Sequence, residues 1–226
     1  MTRPIPMLAL FALAAMSLGN ALGSASDEFI DLRRIDALRG DADAGKAKAA
    51  VCGACHGPAG IAPVPAFPNL AGQQPEYLYW RLVEFKREAR PDSPMTPQVA
   101  NLDDAAMRDL AAYFASLPAP AAGTSDAKNG RGATLYRDGD PSRGTPPCQG
   151  CHGASGEGHA WAARDASYRT YPKLRGQHAA YVAQRLRDFH DGKHLSSSSA
   201  RIMTPVAATL DEDAIQAVAA WIEAGP

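Results

Sequence analysis

Cys52-Gly53-Ala54-Cys55-His56 and Cys148-Gln149-Gly150-Cys151-His152 together use all four cysteines of this 226-residue chain. CxxCH is the attachment signature of c-type haem. The spacing has a chemical reason: two thiols three positions apart on a helical turn can each form a thioether to a haem vinyl group. The imidazole of the next residue then reaches the iron. Two complete motifs predict two covalently bound haems c, with Cys52, Cys55, Cys148 and Cys151 as tethers and His56 and His152 as iron ligands. A redox-active dithiol or a four-thiolate zinc site is the competing reading. Both leave the adjacent histidines unexplained, and no strand-rich stretch is present to hold a thioredoxin-like site. A disulfide framework is the third alternative for an exported chain with an even cysteine count.

Residues 1–25 read as a secretory signal: Arg3 gives a positive start, Met7 to Leu18 is almost wholly apolar, and small residues follow up to Ala25. The apolar run is short of the ~20 residues a spanning helix needs. Export predicts a periplasmic protein with its signal removed, consistent with haem attachment on the outer side of the inner membrane. About two hundred residues remain, enough for two small domains in which a buried haem adds to each core. Residues 26–120 carry ten basic against thirteen acidic side chains, and residues 121–226 twelve against eleven. That weak polarity gives no basic patch for nucleic acid, whereas docking to proteins stays open.

The two halves align as an internal repeat. Phe67-Pro68-Asn69-Leu70-Ala71-Gly72-Gln73 matches Tyr171-Pro172-Lys173-Leu174-Arg175-Gly176-Gln177, and Tyr77, Arg81, Leu82 and Phe85 fall on Tyr181, Arg185, Leu186 and Phe189. Met95-Thr96-Pro97 then meets Met203-Thr204-Pro205, and Leu102-Asp103-Asp104 and Leu210-Asp211-Glu212 each open a terminal helix. Each unit is predicted to run helix, CxxCH, loop, PxLxGQ, helix, loop with MTP, helix. The second unit carries extra residues at 138–147 and 159–167. Pro118 to Ser125 reads as an exposed linker. The predicted domains are therefore 26–117 and 126–226, joined by 118–125.

The repeat also selects the sixth iron ligands. Met203 is the only methionine of the second half and falls in a proline-containing loop, so its thioether is expected opposite His152; Met95 is its counterpart opposite His56. Met107 aligns with Ile215 and reads as a core side chain. His159 is the candidate replacement ligand for the second haem, while His178, His190 and His194 read as exposed histidines on or beyond a helix. Ala49 stands where the other unit has Tyr136, which predicts a looser first helix crossing. In residues 27–39, Phe29, Leu32, Ile35 and Leu38 recur at helical spacing, which predicts a helix covering its own domain rather than a partner-docking one.

Taken together, CxxCH, PxLxGQ with a tyrosine five residues after the glycine, and MTP ahead of the Leu-Asp-Asp or Leu-Asp-Glu helix start resemble the class I cytochromes c, specifically the dihaem cytochrome c4 family. The resemblance implies an all-α fold: two tandem class I cytochrome c domains, each a small helical fold around a covalent haem. It also implies that the Pro68 and Pro172 carbonyls orient His56 and His152 through Nδ1. A haem held by histidine and methionine has no open position for substrate, so the expectation is an electron carrier and not an enzyme. The expected role is single-electron transfer in the periplasm from a quinol-oxidising complex or dehydrogenase to a terminal oxidase, with peripheral docking on a membrane complex. The alternative is the electron-accepting subunit of a dedicated dehydrogenase acting on an alcohol or a reduced sulfur compound. A peroxidase, with one methionine lost from iron, is the third class.

Overall fold

The structure is a computed structural model that describes Met1 and residues 29–121, 130–193 and 195–225. The leader beyond Met1, most of the linker and His194 lie outside the described residues. The described chain is helical, with two isolated β-bridges and no sheet.

The N-terminal unit comprises α1 (Ala42–Lys48), α2 (Ala50–His56), α3 (Pro75–Glu88), α4 (Thr96–Val99) and α5 (Asp104–Ser116). The C-terminal unit repeats the plan with α6 (Arg131–Asp138), α7 (Gln149–His152), α8 (Ala179–His190), α9 (Ser198–Ala207) and α10 (Glu212–Ala224). Local chemistry fixes where these helices begin. Asp41, Asp103 and Asp211 each accept backbone N–H groups at the start of α1, α5 and α10, and Pro75 opens α3, where its missing N–H costs nothing. The acidic residues that follow in α5 and α10 complement the positive end of the helix dipole.

In each unit the first helix crosses the last at a glycine. A Cβ on Gly45 would lie 2.0 Å from the Asp109 carbonyl oxygen, and one on Gly132 would lie 2.1 Å from that of Ala217. Backbone therefore touches backbone at both crossings, and only glycine allows it. The expected looser first crossing is not found, because the approach is set by these glycines and not by the Ala49/Tyr136 pair. What differs is the filling beside the crossing. Tyr136, with no exposed surface, packs on Trp221 at 4.2 Å between ring centroids and donates its hydroxyl to the Gly153 carbonyl. The C-terminal core adds Val182, Leu210, Ile215, Val218 and Ile222, whereas the N-terminal core is built from Leu78, Tyr79, Met107, Leu110, Ala111 and Phe114. Met107 and Ile215 occupy equivalent core positions.

Two local readings of the sequence are corrected. Residues 29–38 form no helix beyond a three-residue 3-10 turn at Leu32–Arg34. They form a strap instead. Ile30 pairs with Ser196 and Ser198 beside α9, Leu32 donates to the Ser198 hydroxyl, and Arg169 holds the Ile35 carbonyl. The strap then returns to its own unit, where the Leu38 N–H donates to Glu76. Nor does Met203 lie in a loop. It sits within α9, which continues through Pro205 because Ser197 caps its start, the Thr204 hydroxyl bonds the Ala200 carbonyl, and Ala200 and Ala207 are buried. Packing has overridden the proline signal, at the loss of one backbone bond.

Candidate haem sites

In both units the histidine of CxxCH is the last residue of a helix, α2 or α7, and the glycine that follows turns the chain with φ of 76° at Gly57 and 87° at Gly153. The next segment folds back over the same turn in both halves. Leu70 and Ala71 donate to the Gly60 carbonyl, and Leu174 and Arg175 donate to that of Gly156. Gly72 and Gly176 then donate to Phe114 and Ile222 at the ends of the terminal helices. The proline of PxLxGQ is thereby held against the histidine.

The resulting bonds are His56 Nδ1 to the Pro68 carbonyl at 2.9 Å and His152 Nδ1 to the Pro172 carbonyl at 2.8 Å. A carbonyl can only accept, so the proton is on Nδ1 and the lone pair of each ring is on Nε2. Burial pushes both imidazoles below their ordinary pKa, against a smaller opposing effect of the proline carbonyls, and keeps them neutral. A neutral ring with a free Nε2 and a fixed orientation is what an iron ligand requires. Phe67 and Tyr171 flank the two rings at 6.2 and 6.4 Å between centroids.

All four cysteines are free. Burial raises the pKa of Cys52 and Cys151 and pushes Cys148 up to about 11, so these thiols stay protonated near neutrality. A buried, protonated thiol is a poor thiolate ligand and a poor redox nucleophile. The two pairs sit in separate units, and no cluster of three or more His, Cys, Asp or Glu able to hold a metal occurs among the described residues. The residues fit covalent haem and do not fit the zinc or dithiol readings. When bound, each haem supplies a one-electron centre.

Met95 caps the start of α4 and Met203 lies on α9, both half-buried, whereas Met107 is 6 % exposed within the N-terminal core. His159 lies flat against Tyr168 at 3.6 Å, and its Nδ1 accepts from the Trp161 N–H. His190 is exposed. His178 is not a free surface histidine: Nε2 contacts the Ala62 carbonyl of the other unit at 2.9 Å and Nδ1 contacts Glu223 at 3.2 Å.

Sequence reading did not anticipate that the two PxLxGQ segments face each other. Gln73 and Gln177, each 7 % exposed, reach across to the opposite segment. Nearby, Tyr77 lies close to Tyr181, Arg81 and Arg185, and burial drives its phenol well above its ordinary pKa. The signal was present in the repeat, where the same glutamine, tyrosine and arginine recur at matching positions. Pro118, Ala119 and Ala121 are exposed and Pro120 is half-buried, and this stretch lies along the seam, with Ala119 against Gly72 and Pro120 and Ala121 against Gly176.

Comparison with known proteins agrees with this arrangement. The cytochrome c family model matches residues 42–118 and 130–225. A cytochrome c4 of Azotobacter vinelandii is 42% identical over 194 residues, covering 81% of this chain and 89% of that protein. The crystal structure of reduced recombinant cytochrome c4 from Pseudomonas stutzeri superposes with a TM-score of 0.73 at 39% identity, covering 82% of this chain and 98% of that one. A thiosulfate dehydrogenase electron acceptor of Stutzerimonas stutzeri (strain A1501) is 33% identical, over 76% of this chain and 78% of its own length.

Proposed function

This chain belongs to the cytochrome c family, among the dihaem cytochromes c4, and from that premise we propose how it holds its haems and where it works. It is an electron carrier with two covalent haems c, exchanging electrons with redox partners, and not an enzyme. The proposed axial sets are His56 with Met95 and His152 with Met203, with Pro68 and Pro172 fixing the two imidazoles. The proposed limits are a signal at 1–25, domains at 26–117 and 126–226, and a linker at 118–125.

One observation supports the ligand reading: each unit presents a buried histidine whose Nδ1 is bonded to a proline carbonyl, leaving Nε2 free. A methionine on the other axial position closes the iron to substrate and favours the ferrous state, which suits outer-sphere transfer of single electrons. The chain's own task is to exclude water, keep both ligands in place and present its surface to a partner. Among the described residues no helix is long and apolar enough to cross a membrane. We place the protein in the periplasm, taking electrons from a quinol-oxidising complex or dehydrogenase and passing them to a terminal oxidase. The 33% identity to a thiosulfate dehydrogenase electron acceptor supports a second reading, as the acceptor for a dedicated dehydrogenase; the 42% identity to a cytochrome c4 favours the first. Stopped-flow reduction separates the two. Reduction by a quinol-oxidising complex in the millisecond range is expected, and reduction at that rate only by a sulfur-compound dehydrogenase would reverse the order.

Two further outcomes are expected. Intact mass after acid-acetone extraction retains two haem increments, and an increment missing from the mature protein would overturn the attachment. Met107→Leu leaves both haem spectra unchanged, a volume-conserving core swap costing less than ~1.5 kcal/mol, while Met95→Leu lets the reduced first haem bind carbon monoxide. The reverse pattern would move the ligand to Met107.

A further inference from the structure

The two PxLxGQ segments exchange their glutamines. Gln177 Oε1 accepts from the Asn69 N–H at 2.8 Å while its Nε2 donates to the Asn69 carbonyl at 3.0 Å. Gln73 Oε1 accepts from the Lys173 N–H at 2.7 Å while its Nε2 donates to the Lys173 carbonyl at 2.8 Å. Asn69 and Lys173 are equivalent in the repeat, and so are Gln73 and Gln177, so the brackets are related by a pseudo-twofold. Further bonds support the seam: Asn69 Nδ2 to the Gly176 carbonyl at 2.9 Å, and Lys173 Nζ to the Gly72 carbonyl at 2.6 Å.

The N–H that Gln177 holds belongs to the peptide unit Pro68–Asn69, and the carbonyl of that same unit accepts the Nδ1 proton of His56. The N–H that Gln73 holds belongs to Pro172–Lys173, whose carbonyl accepts from His152. One planar peptide thus separates each histidine from a glutamine of the other domain. An acceptor on the N–H of an amide increases the negative charge on its oxygen, and hydrogen bonds in such a chain strengthen one another in a buried site. A more negative carbonyl pulls harder on the Nδ1 proton. The ring then gains anionic character and Nε2 becomes the better donor to iron, which favours the ferric state.

We propose that Gln177 and Gln73 are crossed positioning residues, each setting through a single peptide unit the bond that orients and polarises the iron-binding histidine of the opposite domain. Each haem's potential is therefore held down by the domain that carries the other haem. This rests on the axial-histidine reading above.

The test uses the full-length dihaem protein, with each haem's potential followed through its own assigned paramagnetic NMR resonances. Gln177→Met keeps the bulk and removes the acceptor. It is expected to raise the first haem's potential by a two- to fourfold change in its reduction equilibrium, roughly 20–35 mV at 59 mV per tenfold, with the second haem moving less. Gln73→Met is expected to give the mirror image. Gln177→Glu retains an acceptor with fuller negative charge and is expected to lower the first haem's potential. The sign and the crossing separate this role from packing alone, because water admitted at a loosened seam stabilises ferric iron and lowers potentials. A fall with methionine, a larger shift in the haem of the substituted domain, or static potentials in all three variants would overturn the proposal. Absence of histidine–methionine low-spin signatures from the unmodified protein would instead overturn the ligand reading.

Discussion

Replacing Met203 by histidine is expected to lower the second haem's reduction potential by on the order of 0.2 V while leaving the first nearly unchanged. Axial ligand identity spans about 0.8 V in haem proteins, and exchanging a thioether for an imidazole nitrogen stabilises ferric iron against ferrous. At 59 mV per tenfold this is more than three decades in equilibrium constant. Spectroelectrochemistry would show one redox wave displaced. The weak near-infrared band of methionine-to-iron charge transfer would fall to about half its ferric intensity. An intact band and two unmoved waves would mean that another group binds the second iron. Met203→Leu is the companion variant: with no nitrogen or sulfur to offer, it should open the second haem to carbon monoxide.

The largest effect on stability is expected from Gly132→Val. At the α6–α10 crossing its Cβ would fall 2.1 Å from the Ala217 carbonyl oxygen and 2.9 Å from Trp221 Cβ, so two helices must separate and the Tyr136–Trp221 pair must open with them. Overpacking that moves backbone costs about 3 kcal/mol or more, enough to remove much of the margin of a domain this small. Gly130→Ala is the control, because a Cβ there meets nothing within 4 Å and the substitution alters only the helix cap, at about 1 kcal/mol or less. Thermal unfolding followed by far-ultraviolet circular dichroism should separate the two variants clearly. Equal midpoints would show that the crossing has room the geometry does not reveal.

Much of this architecture was legible because the chain contains two copies of it. A single CxxCH locates a tether; two copies aligned with PxLxGQ, MTP and a Leu-Asp-Asp or Leu-Asp-Glu start locate helices, prolines and methionines together. The terminal helices read correctly because an aspartate cap and an apolar stripe are local features. The strap did not. Its apolar spacing imitates a helix, but Ile30 and Leu32 are buried against Ser196 to Ser198, partners too distant in sequence for periodicity to reveal. The helix around Met203 was hidden by Pro205, a local breaker overruled by packing against α8. His178 and the two glutamines were hidden for a third reason: each looks like an ordinary polar residue at the start of a helix, and only the approach of the second unit gives it a partner.

The strap also bears on the order in which the chain becomes a protein. The Leu32 N–H closes on the Ser198 hydroxyl 166 positions away, so the strap reaches its seat only once the start of α9 has taken shape. Until then the N-terminal unit can settle around its own core, but the clasp that fastens it to its sibling stays open. Closing a loop of that size carries an entropic cost that grows only slowly with length, yet the closure must wait for α8 and α9 to dock. The strap is therefore among the last parts to find its place, and a chain truncated before Ser196 would have no seat to offer it.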